Sequence, residues 1–360
     1  MSGSNGEIAE IRGTVLRYIP ELPRLWYWVM FNLSRWVLAL TAISQGAASM
    51  TSAEPGDSKP ISHINDRQDL EAELADMNAH IMREGDKPHA KAEERLELLA
   101  GLAQSELGRF LILAKGCNAY WTDYATYQYL NRKAEIDGQA TAVEAFILQR
   151  SPDWRASQQR FLIFQKLAQD LIKPGVRLAS VPCGLMADLL TLDYAGIDTF
   201  ELWGLDVDEE SIALAAQRAH ELNLAGHTSF FKRDAWALEI DNEVDGLLSS
   251  GLNIYVEDYD QEMALYGQFH RALKKGGKLI SSFFTPPPEC DPDSIWDMSY
   301  VDPEDIRIAR ILFGDFLGGS WQKYRTSDDM EGMLGQAGFE DLEFFYDPLR
   351  IMPTVTATKK

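Results

Sequence analysis

The sequence predicts an α/β fold in which a mostly parallel sheet, covered by helices on both faces, follows a helical region. Three observations lead there. From Val176 onward short apolar runs alternate with helical stretches, the pattern of strands buried on both faces and joined by crossover helices. Asp206 follows Gly184 by 22 residues. That is the spacing of a nucleotide-binding βαβ unit, with a backbone turn close to the ligand and then a carboxylate for ribose hydroxyls. Upstream, apolar residues recur at three- and four-residue intervals between 64 and 172, as helices require.

Three segments follow from this in order. Residues 1–62 form an N-terminal extension with an apolar helix and a linker. Leu25–Ile43 is apolar all round, and such a run suits a packed helix, an interfacial anchor or a signal sequence. Asn32, Ser34 and Arg35 interrupt it, and Glu7, Glu10 and Glu21 oppose a positively charged leader. The expectation is a helix packed on the body or on a neighbouring subunit, with a Ser-, Pro- and Gly-rich linker at 51–62. Residues 63–172 are the helical cap and substrate region, with Asn65 and Asp66 as N-cap candidates and a helix over 156–172 that ends in Lys173-Pro174-Gly175. Residues 173–360 carry strands at 176–182, 201–206, 228–232, 244–249 and 277–284, then a helix at 327–337 and strands at 340–346 and 351–358. An insertion at 286–325, with Trp296, Tyr300, Phe313, Phe316, Trp321 and Tyr324, lies beyond the carboxyl end of a strand and reads as a lid.

Composition narrows the partners. A formal net charge of −21 over 360 residues repels nucleic acid and anionic membrane surfaces, and basic clusters such as Lys274–Lys275 and Lys359–Lys360 are no longer than pairs. A small molecule is the expected substrate, with a homodimer as an option. Cys117, Cys183 and Cys290 form no CxxC, and the six histidines form no HxxxH or HExxH. No disulfide framework and no metal is therefore expected, and a cytoplasmic location fits.

The ordered segments VRLASVPCGLMADLL, ELWGLDVDEESIALAA, FFKRDAW, VDGLLSSGLNIYVED and ALKKGGKLISSFF resemble the class I S-adenosylmethionine-dependent methyltransferases. The resemblance implies a Rossmann-like seven-stranded sheet whose last strand inserts antiparallel beside its neighbour, and S-adenosylmethionine as cosubstrate. The family's acidic residue and three alternating glycines fall on Ser180, Pro182, Gly184 and Met186, so only the central glycine is kept. By resemblance the cofactor contacts are Ser180, Pro182, Gly184, Asp206, Val207, Asp234, Ala235, Ser250 and Arg160. Asp208 competes with Asp206 or caps the following helix. Trp236 stacks on adenine or packs in the core. Arg160 meets the cofactor carboxylate or lies on a solvated helix face.

The candidate catalytic residues are Tyr120, Tyr124 and Asn253. The first two belong to the run NAYWTDYATYQYL, whose aromatic faces could surround a sulfonium or simply pack, with Asp123 as a base or a cap. Asn253 ends Ser249-Ser250-Gly251-Leu252-Asn253, which carries neither an (Asp/Asn)-Pro-Pro-Tyr signature nor paired acids. The leading expectation is methyl transfer to a small secondary-metabolite type acceptor, for which in-line geometry can suffice. A second is a lyase on the same fold that cyclises the cosubstrate to azetidine-2-carboxylate and methylthioadenosine. A third is a nucleotide-binding module without catalysis.

Overall fold

The computed structural model describes residues 67–319 and 323–360. The chain divides into two units, Met1–Lys59 and Pro60–Lys360. The first unit, with the apolar run Leu25–Ile43, lies outside the described residues, as do the linker 51–62 and Trp321.

The second unit begins with helices α1 (Arg67–Glu84), α2 (Ala92–Leu102) and α3 (Glu106–Ala114). The helical pattern over 90–114 divides at Ser105, whose hydroxyl accepts from the Gly108 amide at 3.0 Å and so starts a new helix. Helix α4 (Ala119–Asp123) continues through a π-helical turn, Tyr124–Gln128, into α5 (Tyr129–Asn131). Helices α6 (Lys133–Asp137), α7 (Ala142–Gln149) and α8 (Pro152–Gln169) complete the region. The last starts earlier than the apolar spacing indicates because Pro152 supplies a pre-set first turn.

Strands β1 (Val176–Ser180), β2 (Phe200–Asp206), β3 (Thr228–Lys232), β4 (Val244–Ser249) and β5 (Leu273–Ser282) run parallel. Strand β7 (Thr354–Lys359) lies antiparallel between β5 and β6 (Phe339–Phe345), giving the order β3-β2-β1-β4-β5-β7-β6. The expected seven-stranded Rossmann-like sheet is present. Both faces of β1 are buried: Val176 and Leu178 pack with Leu202 and Leu248, while Ala179 and Val181 pack with Leu205, Leu247 and Leu279. That is why the strand reads as a nearly unbroken apolar run. Strand β7 starts at Thr354 rather than 351. The buried Asp347 carboxylate accepts from the Leu349 and Met352 amides at 3.0 and 2.9 Å and turns that stretch into a loop.

The insertion takes two forms. Trp296 and Tyr324 pack on Phe284, and Tyr300 is exposed. Helix α9 (Ala187–Leu190) follows β1, and α10 (Glu209–Glu221), α11 (Tyr259–Ala272) and α13 (Ser327–Gln336) follow β2, β4 and the insertion. Within the insertion, α12 (Pro303–Ala309) runs into a second π-helical segment, Arg310–Phe316. Ile311, Leu312, Phe313 and Phe316 are buried in the same apolar core as Leu99, Leu107 and Ile147 of the helical region. Phe313 and Phe316 are thus core residues, not an open aromatic lid. Asp315 takes Lys87, His89 and Arg95, and Arg307 pairs with Glu94, tying the insertion to α2 and the loop before it. Among the described residues no helix is long and apolar enough to cross a membrane.

Candidate active site

The turn after β1 is held by backbone. The Val181 amide donates to Leu248 O and the Cys183 amide to Leu205 O, each at 2.8 Å, so the turn is tied to β4 and β2. Gly184 has φ +48°, and a Cβ there would lie 3.3 Å from the Ala119 methyl of α4. Met186 also sits in the left-handed region, at φ +55°. The turn expected of glycines persists there under a buried side chain. Where the resemblance places an acid, at Ser180, a carboxylate lies alongside instead. The Ser180 hydroxyl donates to Asp188 Oδ2 at 2.8 Å. Burial pushes the Asp188 carboxyl up to about 6, and the Ser180 bond opposes the shift. Asp188 was not singled out from the sequence; its only signal is an acid in the first turn of a helix that follows a buried strand.

On the nucleoside side, Asp206 ends β2 and is buried. Its Oδ2 accepts from the Gly184 amide at 2.9 Å and its Oδ1 from the Asp208 amide at 3.0 Å. The carboxylate is therefore fixed in direction and keeps lone pairs for further donors. Asp208 is the helix cap: it accepts from the Glu210 and Ser211 amides at the start of α10. Val207 between them is 60 % exposed, a bare apolar platform beside the fixed acid. Asp234 accepts from the Trp236 amide at 2.9 Å, and Ala235 is buried. Trp236 donates its indole N–H to Gln261 O at 2.8 Å and packs, half-buried, against the core.

Beyond β4, Ser250 is exposed and Gly251 has φ +81°. Asn253 is buried and donates its amide to the Tyr266 hydroxyl at 3.1 Å; that hydroxyl donates to Glu262 Oε1 at 3.0 Å. Glu262 is fully buried and pairs through Oε2 with the Arg325 guanidinium. Burial, with Glu262 next, pushes the Tyr266 hydroxyl well above its ordinary range and keeps it protonated. Arg160, from α8, does not lie on a solvated face. It is only 9 % exposed, and one guanidinium nitrogen lies 2.8 Å from the point where a Gly251 Cβ would stand. Burial pushes its pKa down to about 10.

The structure does not bring Tyr120 and Tyr124 to this crevice. In α4 and its π-helical continuation the face toward the sheet domain is Ala119, Asp123 and Tyr127. Ala119 is set against Gly184, and Asp123 and Tyr127 against Arg218. Asp123 is neither base nor cap but the partner of Arg218. Tyr120, Trp121 and Tyr124 point the other way, into a groove of about 310 Å³ shared with Arg109, Arg132 and Glu144. Tyr124 donates to Glu144 at 3.0 Å, and burial and that carboxylate hold its hydroxyl far above the usual range. It is no base at neutral pH. Among the described residues no group of His, Cys, Asp and Glu could hold a metal ion.

Residues 181–277 match the family model described as a methyltransferase domain. The structure superimposes on a crystal structure described as a possible exported protein of Bordetella parapertussis. The TM-score is 0.76 and the identity 38 %, over 84 % of this chain and 99 % of that one. Over 147 residues it is 24 % identical to the ubiquinone/menaquinone biosynthesis C-methyltransferase UbiE of Serratia proteamaculans (strain 568), matching 39 % of this chain. The match spans 57 % of the length of that curated relative. A fainter likeness, TM-score 0.42 and 19 % identity over 67 % of this chain and 98 % of the other, is to magnesium protoporphyrin IX methyltransferase of Synechocystis PCC 6803.

Proposed function

We propose that the chain, whose residues 181–277 match a methyltransferase domain and which resembles the class I S-adenosylmethionine-dependent methyltransferases, methylates a small-molecule acceptor. The observation that carries this is the fixed Asp206 carboxylate beside the Gly184 amide and the exposed Val207. The residues present fit the cosubstrate. Gly184 leaves the turn free of a side chain, Val207 offers an apolar face, and Arg160 is a cation without an ion-pair partner among the described residues. Asp206 would hold the ribose hydroxyls, with Val207, Asp234 and Ala235 at the adenine. Ser180, Pro182, Gly184, Ser250 and Arg160 would face the amino-acid end. When bound, S-adenosylmethionine supplies an electrophilic methyl on a sulfonium. The chain's own work is to orient that group and exclude water, with Ala119 and the Asp123–Arg218 pair holding the helical region against the turn. The division into extension, helical cap and sheet domain, the cytoplasmic location and an optional homodimer belong to the same proposal.

One observation favours the second reading, cyclisation of the cosubstrate. The helical face toward the turn offers Ala119, an ion-paired Asp123 and Tyr127, and so no free base for an external acceptor. In that reaction the α-amine, having lost a proton to solvent, forms a bond to its own γ-carbon. The γ-carbon–sulfur bond breaks, and methylthioadenosine leaves. Incubation with S-adenosylmethionine alone distinguishes the two. Methylthioadenosine without an acceptor supports cyclisation, and S-adenosylhomocysteine only when an acceptor is added supports methyl transfer. Cosubstrate binding without either product would leave a nucleotide-binding module.

A further inference from the structure

The groove on the far face of α4 holds a buried acid. Glu144 is 8 % exposed and makes no ion pair among the described residues. Its carboxylate takes the Tyr124 hydroxyl on Oε1 at 3.0 Å. Thr141 and Glu144 have the spacing of a capping box, in which the acid returns to the backbone amide of the cap residue. At the start of α13 that return is made, Asp329 accepting from the Thr326 amide at 2.8 Å. At Thr141 only the forward half forms, the Glu144 amide donating to the threonine hydroxyl at 3.3 Å. The Glu144 side chain lines the groove instead. A buried carboxylate without a counter-ion is costly, and a fold that keeps one has a place for a cation.

Arg109 and Arg132, the cations of the groove wall, are engaged elsewhere. Arg109 donates to the carbonyls of Ala103 and Gln104 at 3.3 and 3.1 Å, closing the end of α2. Arg132 holds Glu135 through Nε and Nη2 and reaches Gln128 with Nη1. What shares the groove with Glu144 is aromatic. The Tyr120 and Tyr124 rings stand nearly perpendicular to the Trp121 indole, at 86° and 83°, with centroids 5.0 and 5.3 Å away. Edge contacts leave uncovered ring faces that stacking would hide, and those faces attract cations. Tyr120 is 40 % exposed, and Tyr124 opens the π-helical turn, a distortion that recurs at functional sites. The volume of about 310 Å³ is at the small end for ligand sites.

We propose that this groove binds a small organic cation, an alkylated ammonium group, with Tyr120, Trp121 and Tyr124 against its apolar surface and Glu144 as its counter-ion. Alkyl groups on the nitrogen spread the charge over a surface that aromatic faces can cover. A hard metal ion would need more oxygen donors than Glu144 and Tyr124 supply. The site does not depend on the cosubstrate reading. Ala119, Asp123 and Tyr127 face the turn at Gly184 and Arg218, and the groove lies on the other face of the same helical stretch. Cation and cosubstrate therefore bind side by side and do not compete.

Titration calorimetry on the full chain tests this with tetramethylammonium, with choline and with neohexanol, the uncharged carbon isostere of choline. Both ammonium ions are expected to bind, and neohexanol to bind roughly 10-fold more weakly than choline or worse. Glu144→Gln keeps an acceptor for Tyr124 and removes the charge, and it should weaken choline by roughly 10- to 100-fold. Tyr120→Leu, at an exposed position, should weaken choline by roughly 3- to 30-fold. Without ligand, Glu144→Gln should melt no lower than wild type, since it removes an uncompensated buried charge; a Glu144 whose charge is structural would melt lower and leave choline affinity intact. Saturating S-adenosylhomocysteine should not change choline binding. No binding of either ammonium ion at millimolar concentration overturns the site. So does neohexanol binding as tightly as choline, displacement of choline by S-adenosylhomocysteine, or a choline affinity that Glu144→Gln leaves intact.

Discussion

The Asp123 carboxylate and the Arg218 guanidinium meet through two parallel hydrogen bonds, Nη1 to Oδ1 at 2.6 Å and Nη2 to Oδ2 at 2.7 Å. The same guanidinium donates to Leu185 O at 3.1 Å and lies against the Tyr127 ring. One arginine of α10 thereby fastens the helical region to the turn that the cosubstrate would face. Forked, nearly buried pairs of this kind fix geometry as well as adding energy.

Breaking that pair from one side leaves a charge stranded. Asp123→Ala is expected to cost about 3 kcal/mol or more of stability. The double variant Asp123→Leu/Arg218→Met is expected to lose less than the single one. Urea denaturation of the three proteins measures both; a double variant weaker than Asp123→Ala would show that the pair's charge itself is needed.

Asp206 should separate nucleoside recognition from the rest of the site. Asp206→Ala is expected to weaken S-adenosylhomocysteine and methylthioadenosine alike, each by about 100-fold, as two charge-assisted bonds are lost. Equal binding of both nucleosides by the variant and the wild type would remove Asp206 from the ribose contact.

Asp188 gives a pH dependence with a definite sign. Its carboxyl has an ordinary value of 3.8 and is raised to about 6 in the fold. The folded state holds the proton more tightly, so this group's stabilising contribution is complete below 3.8 and lost as pH rises through about 6. Asp188→Asn keeps an acceptor for Ser180 and removes the titration. Relative to wild type, its melting temperature should rise between pH 4 and pH 7; a flat difference across that range would mean that Asp188 titrates normally.

Met186 sets two effects against each other. Replacing it by glycine relieves left-handed backbone strain of about 1–2 kcal/mol. It also deletes a buried methionine side chain, worth about 2–5 kcal/mol on truncation even to alanine. Burial outweighs strain, and Met186→Gly should be net destabilising by about 1–3 kcal/mol. Chemical denaturation reads the sign directly.

Much of the sheet was legible because strands buried on both faces advertise themselves as apolar runs. Strands β3 and β4 fall on the expected residues, and Asp206 and the Asp208 cap follow from where such a run ends. The helical region was less legible. The apolar spacing identified helices, yet a π-helical turn decides which aromatic residues face the sheet domain, and Tyr127 rather than Tyr120 or Tyr124 takes that position. Arg160 shows the same limit. An arginine on a helix reads as solvated until the element packed over it is known. The carboxylate of Asp188 beside Ser180 was invisible for a related reason, since the contact is made across the turn and not at the position the motif names.

The core shared by the helical region and the insertion has a consequence for the order of synthesis. Glu94 waits for Arg307, 213 positions later in the chain, and Lys87 waits for Asp315, 228 positions later. Helices α1 and α2 cannot close their own interior as they leave the ribosome, because part of it is made after β5. They must stay unfinished, and open to chaperones, while most of the sheet is laid down, and their closure is coupled to the completion of the domain beneath them.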